Sequence, residues 1–331
     1  MSAPPQRCFD SGHLWQMIAE AAWSIGLDTR NLFDGAGPPQ PWQRIPHDRQ
    51  QAFWNGLEQT GLWHTDRVLL LAERSQPLRG LPLEFGFLSS ASVEAGLRFV
   101  IAHQRLLTDA AAVHLERLGS KAVLSNFRHP LAAFEKLAVL VSLRFLNQLT
   151  GGAFTPREIW LTSSVPPGSS LCTRYPDCSV RGDMPDAAIH FDAALLDRKP
   201  PMADPGMHRL HQKFAAERLS LIPIQEREHH IRERVMACLP MGNGLLTSIC
   251  AELNTTPRSL RYDLARIGTN FNRIHEECRK TVACRLLLRP ETGMDQVIYA
   301  TGFSEPSAFS RAFKRWTGMT PLAYQRQHAR Q

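Results

Sequence analysis

Within residues 302–318 (GFSEPSAFSRAFKRWTG) stand Ser307, Ser310, Arg311, Lys314 and Arg315, a run of hydroxyls and cations at helical spacing. Hydroxyls, guanidinium and ammonium groups on one helix face are donors to phosphate oxygens and to base edges. With Glu305 at the head of the helix, they form one candidate nucleic-acid-reading set. A solvated, charged surface helix is the competing reading of the same residues.

The elements that would position this set are legible around it. Phe309, Phe313 and Trp316 recur at spacings of four and three, so they share a buried stripe opposite the polar face. Gly302 suits a tight turn, Ser304 an N-cap, and Glu305-Pro306 the first helical turn. Residues 294–301 (MDQVIYAT) read as a short helix with Val297, Ile298 and Ala300 inward. Helix, glycine turn, helix is the helix-turn-helix layout.

The pattern occurs twice. A shift of 49 residues lays Ile298 on Ile249, Ala300 on Ala251, Phe309 on Leu260, Phe313 on Leu264 and Trp316 on Ile267. In the upstream copy Thr256 is a natural N-cap, Pro257 a first helical residue, and Asn254 stands for the turn glycine. Its candidate reading set is Thr256, Arg258, Ser259, Arg261 and Tyr262. Between the copies, residues 270–288 predict one long helix carrying Arg273, and Arg289-Pro290-Glu291 stops it. Such a duplication is more specific than a single motif. Two reading helices about 34 Å apart on one monomer can enter successive major grooves.

Charge agrees. Of the net +7, residues 225–331 hold 16 Lys+Arg against 10 Asp+Glu, while residues 1–224 hold 22 against 21. A polyanionic partner is implied for the duplicated segment. The length of 331 residues suggests about two domains. No apolar window reaches membrane-spanning length, and the start MSAPPQRCFDSGHLW has no secretory pattern. Seven scattered cysteines without a C-x-x-C pair fit reduced thiols in a cytoplasm. P-loop, G-x-S-x-G, H-E-x-x-H and dinucleotide fingerprints are missing. The expectations are therefore no catalytic residues, no metal, no cofactor and no membrane.

The first two-thirds of the chain read as α+β. Helices are expected over 11–24, 46–60, 63–73, 92–107, 131–149 and 204–219. Strands are expected over 110–117 and 121–127 as a hairpin, and over 157–162 and 188–191. Residues 27–45 and 75–91 read as loops, 163–187 as poorly ordered, and 220–229 as a linker into a helix from about 225. Phe85, Phe87, Arg98 and His103 are candidates to line an effector pocket, with ordinary core and surface as the alternative. His208 and His211 approach metal-ligand spacing but lack a third partner. Cys172 and Cys178 offer a weak redox alternative.

The segment from about 228 to 326 resembles the DNA-binding domain of the AraC/XylS family. The resemblance rests on ATGFS at 300–304, FSRAFKRWTGMTP at 309–321 and Tyr324, with Arg279, Ala283 and Leu287 on the linking helix. The N-terminal half resembles, more weakly, the arabinose-binding-type domain of the branch that includes the ornithine-utilisation regulators. There it rests on LEFGFLSSASVEAGLRFV and FDAALLDRKPP.

This implies an α+β sensor and dimerisation domain over residues 1–222. An all-α domain over 228–328 would follow, with two helix-turn-helix motifs joined by a linking helix. The implied function is an effector-responsive transcription regulator of the activator type. Its implied partners are double-stranded promoter DNA, RNA polymerase, a small-molecule effector and a second copy. By resemblance Arg258, Arg261, Tyr262, Ser307, Ser310 and Arg311 fall on base-reading positions. Arg311 keeps a structural or phosphate role as its alternative. Lys314, Arg315 and Arg273 read as phosphate contacts or as solvated surface. The sequence departs from the family at Pro306 and Ala308, where many members carry longer polar groups, and in the first turn, which lacks glycine. A DNA-binding regulator without ligand and an enzyme fused to the same module remain as alternatives. For the latter, Cys8 is the only cysteine before Cys172.

Overall fold

The computed structural model describes residues 8–27, 29, 39–41, 43–46, 55, 65–76, 78, 80–127, 129, 132–166, 168–241, 245–289 and 291–328. The chain divides into two compact units, Met1–Ser220 and Leu221–Gln331.

In the first unit, β1 (Phe9–Ser11) pairs antiparallel with β2 (Arg44–Pro46). Helix α1 (Gly12–Ser24) starts at Ser11, whose hydroxyl accepts from the Leu14 N–H at 3.2 Å. Pro46 closes a strand rather than opening a helix. Apart from Pro46 and Asn55, the helix expected over 46–60 lies outside the described residues. Helix α2 (Thr65–Arg74) matches the next expected helix.

The stretch expected as a loop over 75–91 contains helix α3 (Pro82–Leu88), with proline at its first position. Helix α4 (Val93–Ala102) follows, capped by Ser92, and a 3-10 turn at Gln104–Leu106 ends it short of residue 107. Two glycines make this pair of helices possible. A Cβ on Gly86 would sit 2.0 Å from the Phe99 ring, and one on Gly96 would sit 2.7 Å from the Phe87 ring. Each helix thus seats its phenylalanine on the other's glycine. Sequence spacing showed the glycines as punctuation, which concealed this packing.

A five-stranded sheet has the order β3 (His114–Leu118), β4 (Lys121–Ser125), β7 (Ala188–Asp192), β5 (Pro156–Trp160), β6 (Ser179–Arg181). All pairs are antiparallel except β5–β6. Gly119, at φ +63, turns the β3–β4 hairpin. Helix α5 (Ala132–Leu149) contributes Leu137, Leu140, Leu143 and Leu146 to a core shared with Leu124, Ile159, Ile189 and Phe191. The segment expected to be poorly ordered over 163–187 instead holds helix α6 (Ser170–Arg174) and strand β6. Ladder pairing to β5 and the buried Leu171 override its turn-prone composition.

Helix α7 (Pro205–Cys238) runs without interruption through the expected linker, with Pro223 inside it. The expected linker over 220–229 is therefore helical, and the boundary between the two units, after Ser220, falls within it. Ile222, Ile224 and Ile231 are buried along it, so apolar burial holds the helix where propensity alone would end it. The second unit is helical: α8 (Leu245–Glu252), α9 (Pro257–Arg266), α10 (Phe271–Leu287), α11 (Met294–Ala300), α12 (Pro306–Thr317) and α13 (Pro321–His328). The chain therefore has a mixed α/β N-terminal region and a helical C-terminal region. No helix among the described residues is long and apolar enough to cross a membrane.

Candidate nucleic-acid interface

Each helix-turn-helix copy has its own core. Ile249, Cys250, Leu260 and Leu264 cluster with Ile274 and Cys278 of α10 and with Ile231 and Val235 of α7. Val297, Ile298, Phe309 and Phe313 cluster with Ala283 and Leu287, farther along α10. The linking helix thus serves both cores with different turns of its length. Asn270 caps it, accepting from the Arg273 N–H at 2.9 Å.

The internal repeat needs one correction. The 49-residue shift holds for the second helices, where Leu260 and Leu264 match Phe309 and Phe313 in burial. In the first helices the correspondence is 48. The left-handed residues are Asn254 (φ 47) and Gly302 (φ 68). The turn hydrogen bonds Thr255 N–H to Cys250 O and Phe303 N–H to Ile298 O repeat at that same spacing. Ile249 and Cys250 therefore correspond to Val297 and Ile298. Ala251 is exposed and corresponds to Tyr299, which is 71% exposed. The second turn is longer by one residue before its helix begins.

The caps differ as well. Thr256 accepts from the Ser259 N–H at 3.2 Å, with Pro257 as the first residue of α9. In the second copy the N-cap is Glu305, one residue later than the expected Ser304, and it makes no side-chain cap bond. That turn is held from outside. Arg279 of α10 donates from Nη2 to the Gly302 carbonyl at 2.9 Å and lies 4.4 Å over the Phe303 ring. A Cβ on Gly302 would meet the Leu239 carbonyl oxygen at 2.1 Å. Glycine is thus required by conformation and by contact together.

The candidate reading residues present one polar face per helix. Thr256, Arg258, Ser259, Arg261 and Tyr262 are all exposed on α9 or its cap, Tyr262 by 69%. Glu305, Ser307, Ser310, Arg311, Lys314 and Arg315 are exposed on α12 or its cap. Among the described residues Arg258, Arg261, Arg311 and Lys314 form no intramolecular ion pair, so their charge is free for a partner. Arg315 is paired with Glu276 at 2.5 Å and Arg273 with Glu277 at 3.0 Å, both on α10. Behind α9, Asp263 pairs with Arg227 of α7 at 2.6 Å. Arg232 bridges Glu228 and Glu277, the latter at 2.6 Å. Burial pushes the Glu277 carboxyl up, and hydrogen bonds from Arg232 and Arg273 outweigh it, leaving it below the usual range.

The effector candidates differ in their surroundings. Phe87 is fully buried in the core, while Phe85 is 42% exposed and stacks on His211. Arg98 pairs with Glu94 at 2.7 Å, and the His103 Nδ1 lies 2.8 Å from the Phe99 carbonyl. His208 faces the Gly86 carbonyl at 2.9 Å, and His211 faces Ser89 Oγ at 3.1 Å. Burial and the neighbouring His208 lower the His211 pKa. No cluster of three metal-ligating side chains occurs among the described residues. Cys172 and Cys178 are free thiols, and burial pushes Cys178 up to about 11.

Sequence reading passed over two features. Arg279 enters the sequence reading only through its fit to a family pattern, although it stands about one turn before Ala283 of the second core. Met207, Leu210 and Phe214 form an exposed stripe on α7, between 47% and 58% accessible. Their spacing of three and four among charged neighbours was the available signal.

Known proteins share both regions. Residues 26–200 match the family described as the arabinose-binding domain of AraC transcription regulator, N-terminal, and residues 249–327 match a helix-turn-helix domain. An uncharacterized HTH-type transcriptional regulator of Mycobacterium tuberculosis is 38% identical over 141 residues, covering 42% of this chain and 40% of that one. The regulator VirS of the same organism is 27% identical over 239 residues, covering 70% and 69%. The ornithine utilization regulator of Pseudomonas aeruginosa is 23% identical over 254 residues, covering 73% of each chain.

Proposed function

The chain belongs to the AraC family of transcription regulators, and on that footing we propose that it binds promoter DNA sequence-specifically and regulates transcription in response to a small molecule. The observation that carries this is the pair of helices α9 and α12. Each is fixed by a buried apolar stripe, and each presents cations (Arg258 and Arg261, Arg311 and Lys314) that no carboxylate among the described residues neutralises. Arg258 and Arg261 read bases from the first copy, and Ser307, Ser310 and Arg311 from the second. Lys314 holds phosphate.

The match to an arabinose-binding domain supports a small-molecule effector for the first unit. The exposed stripe of Met207, Leu210 and Phe214 supports self-association, since contiguous apolar surface on a helix marks an interface. Activation through RNA polymerase in the cytoplasm is the mode that family membership supports.

A footprint on the DNA beside the chain's own gene tests the core of this reading. Protection should cover two adjacent major grooves or a repeat of that pattern. Arg261→Ala should cost about 1–3 kcal/mol on the specific site and much less on random duplex. Equal losses on both would remove Arg261 from the reading set.

A further inference from the structure

The first unit contains a cavity of about 670 Å³ between α2, α5, the start of β5 and the turn from α6 to β6. That volume lies in the range of small-molecule sites. Leu69, Ala72, Leu140 and Phe154 form its apolar wall. Arg144 of α5 borders it as well, and its situation is unusual.

Its Nη1 donates to the Ser75 carbonyl at 2.7 Å and reaches the Ala72 carbonyl at 3.5 Å, closing the C-terminal end of α2. Nε and Nη2 have no acceptor among the described residues, and no described carboxylate lies within 4.0 Å of the guanidinium. The side chain is half-buried, and burial pulls its pKa below the ordinary value, with Glu73 only partly offsetting this. The free Nε and Nη2 donors of this half-buried guanidinium are open to water or to an anion bound in the cavity. The other cation on the rim, Arg174, already faces Glu73 at 3.4 Å.

We propose that this cavity is the effector site and that it takes a monocarboxylate with an apolar body, the carboxylate on Arg144 and the body against Leu69, Ala72, Leu140 and Phe154. This rests on reading the first unit as an effector domain. A planar guanidinium with two free donor atoms suits a carboxylate bidentately. One unpaired cation matches one negative charge. Glu73 and Asp177, both bordering the cavity, disfavour a dianionic phosphate ester.

Titration calorimetry on the full chain tests it, with phenylbutyrate and indoleacetate as probes and their uncharged amides as controls. At least one acid should bind at least tenfold tighter than its amide. Arg144→Gln should abolish that preference, and Arg144→Lys should retain it. Thr155→Trp, at an exposed rim position, should weaken acid and amide together without touching the core. Equal binding of acid and amide, binding of neither acid, or a preference that survives Arg144→Gln would overturn the assignment. If Arg144→Gln does not fold, the acid–amide comparison on the parent chain and on Thr155→Trp still decides. Footprinting in parallel separates the two readings: protection without acid preference leaves the regulator standing and removes this site, while loss of specific protection under every condition removes the regulator itself.

Discussion

The first helix-turn-helix turns on Asn254 and starts its second helix with a local bond from the Ser259 N–H to Thr256. The second turns on Gly302, is one residue longer and starts its helix on Glu305 without a side-chain cap. Arg279, Phe303 and the Leu239 carbonyl hold that second turn instead. The same supersecondary unit is thus specified once by residues adjacent in sequence and once by residues brought together only in the fold. Local specification tolerates substitution of its neighbours. Tertiary specification makes one glycine and one arginine indispensable.

The largest expected effect comes from Gly302→Val, which combines a left-handed β-branched residue with a backbone clash. It should destabilise the second unit by about 2–5 kcal/mol in urea titration. Asn254→Gly, at the corresponding place in the first turn, should change stability by less than about 1 kcal/mol. A similar loss in both would collapse the contrast. Arg279→Ala removes a charged hydrogen bond and a ring contact, together about 1.5–3 kcal/mol. Hydrogen exchange should accelerate in α11 and α12 and stay unchanged in α8 and α9.

Thr256→Ala should cost about 1 kcal/mol, and Glu305→Ala less than about 0.5 kcal/mol. Paired thermal melts check this, and a reversed order would place a working cap at Glu305. The smallest contrast is electrostatic. Lys314→Ala should lower the salt-dependence slope of DNA binding by about one, and Arg315→Ala by less, because Arg315 already spends charge on Glu276.

Much of the second unit was legible in sequence because its signals are local. Phe309 and Phe313 fell on one stripe at helical spacing, and both are fully buried. Thr256 was named as a cap and is one. The 48-residue correspondence of the first helices was hidden because isoleucine and alanine recur by chance at 49. The left-handed residues, the repeated turn hydrogen bonds and the burial of Cys250 reveal the slip. Legibility fell in the first unit. Strand β6 forms by pairing with β5, which composition does not encode. At the start of the second unit, helix α7 passes Pro223 because isoleucines on either side are buried. Phe87 reads as a ligand-facing aromatic until Gly96 is seen to receive it. The cavity beside Arg144 could not be anticipated, since its lining comes from α2, α5, the start of β5 and the turn from α6 to β6, which only the fold brings together.

The two cores draw on successive lengths of one helix, Ile274 and Cys278 for the first, Ala283 and Leu287 for the second. That makes α10 a phasing rod. Each residue inserted between Cys278 and Ala283 would rotate one helix-turn-helix against the other by about 100° and separate them by about 1.5 Å. A seven-residue insertion nearly restores the rotation while adding about 10 Å of reach. If both helices enter the major groove as proposed, the length of this one segment would set the spacing between the half-sites they can reach together.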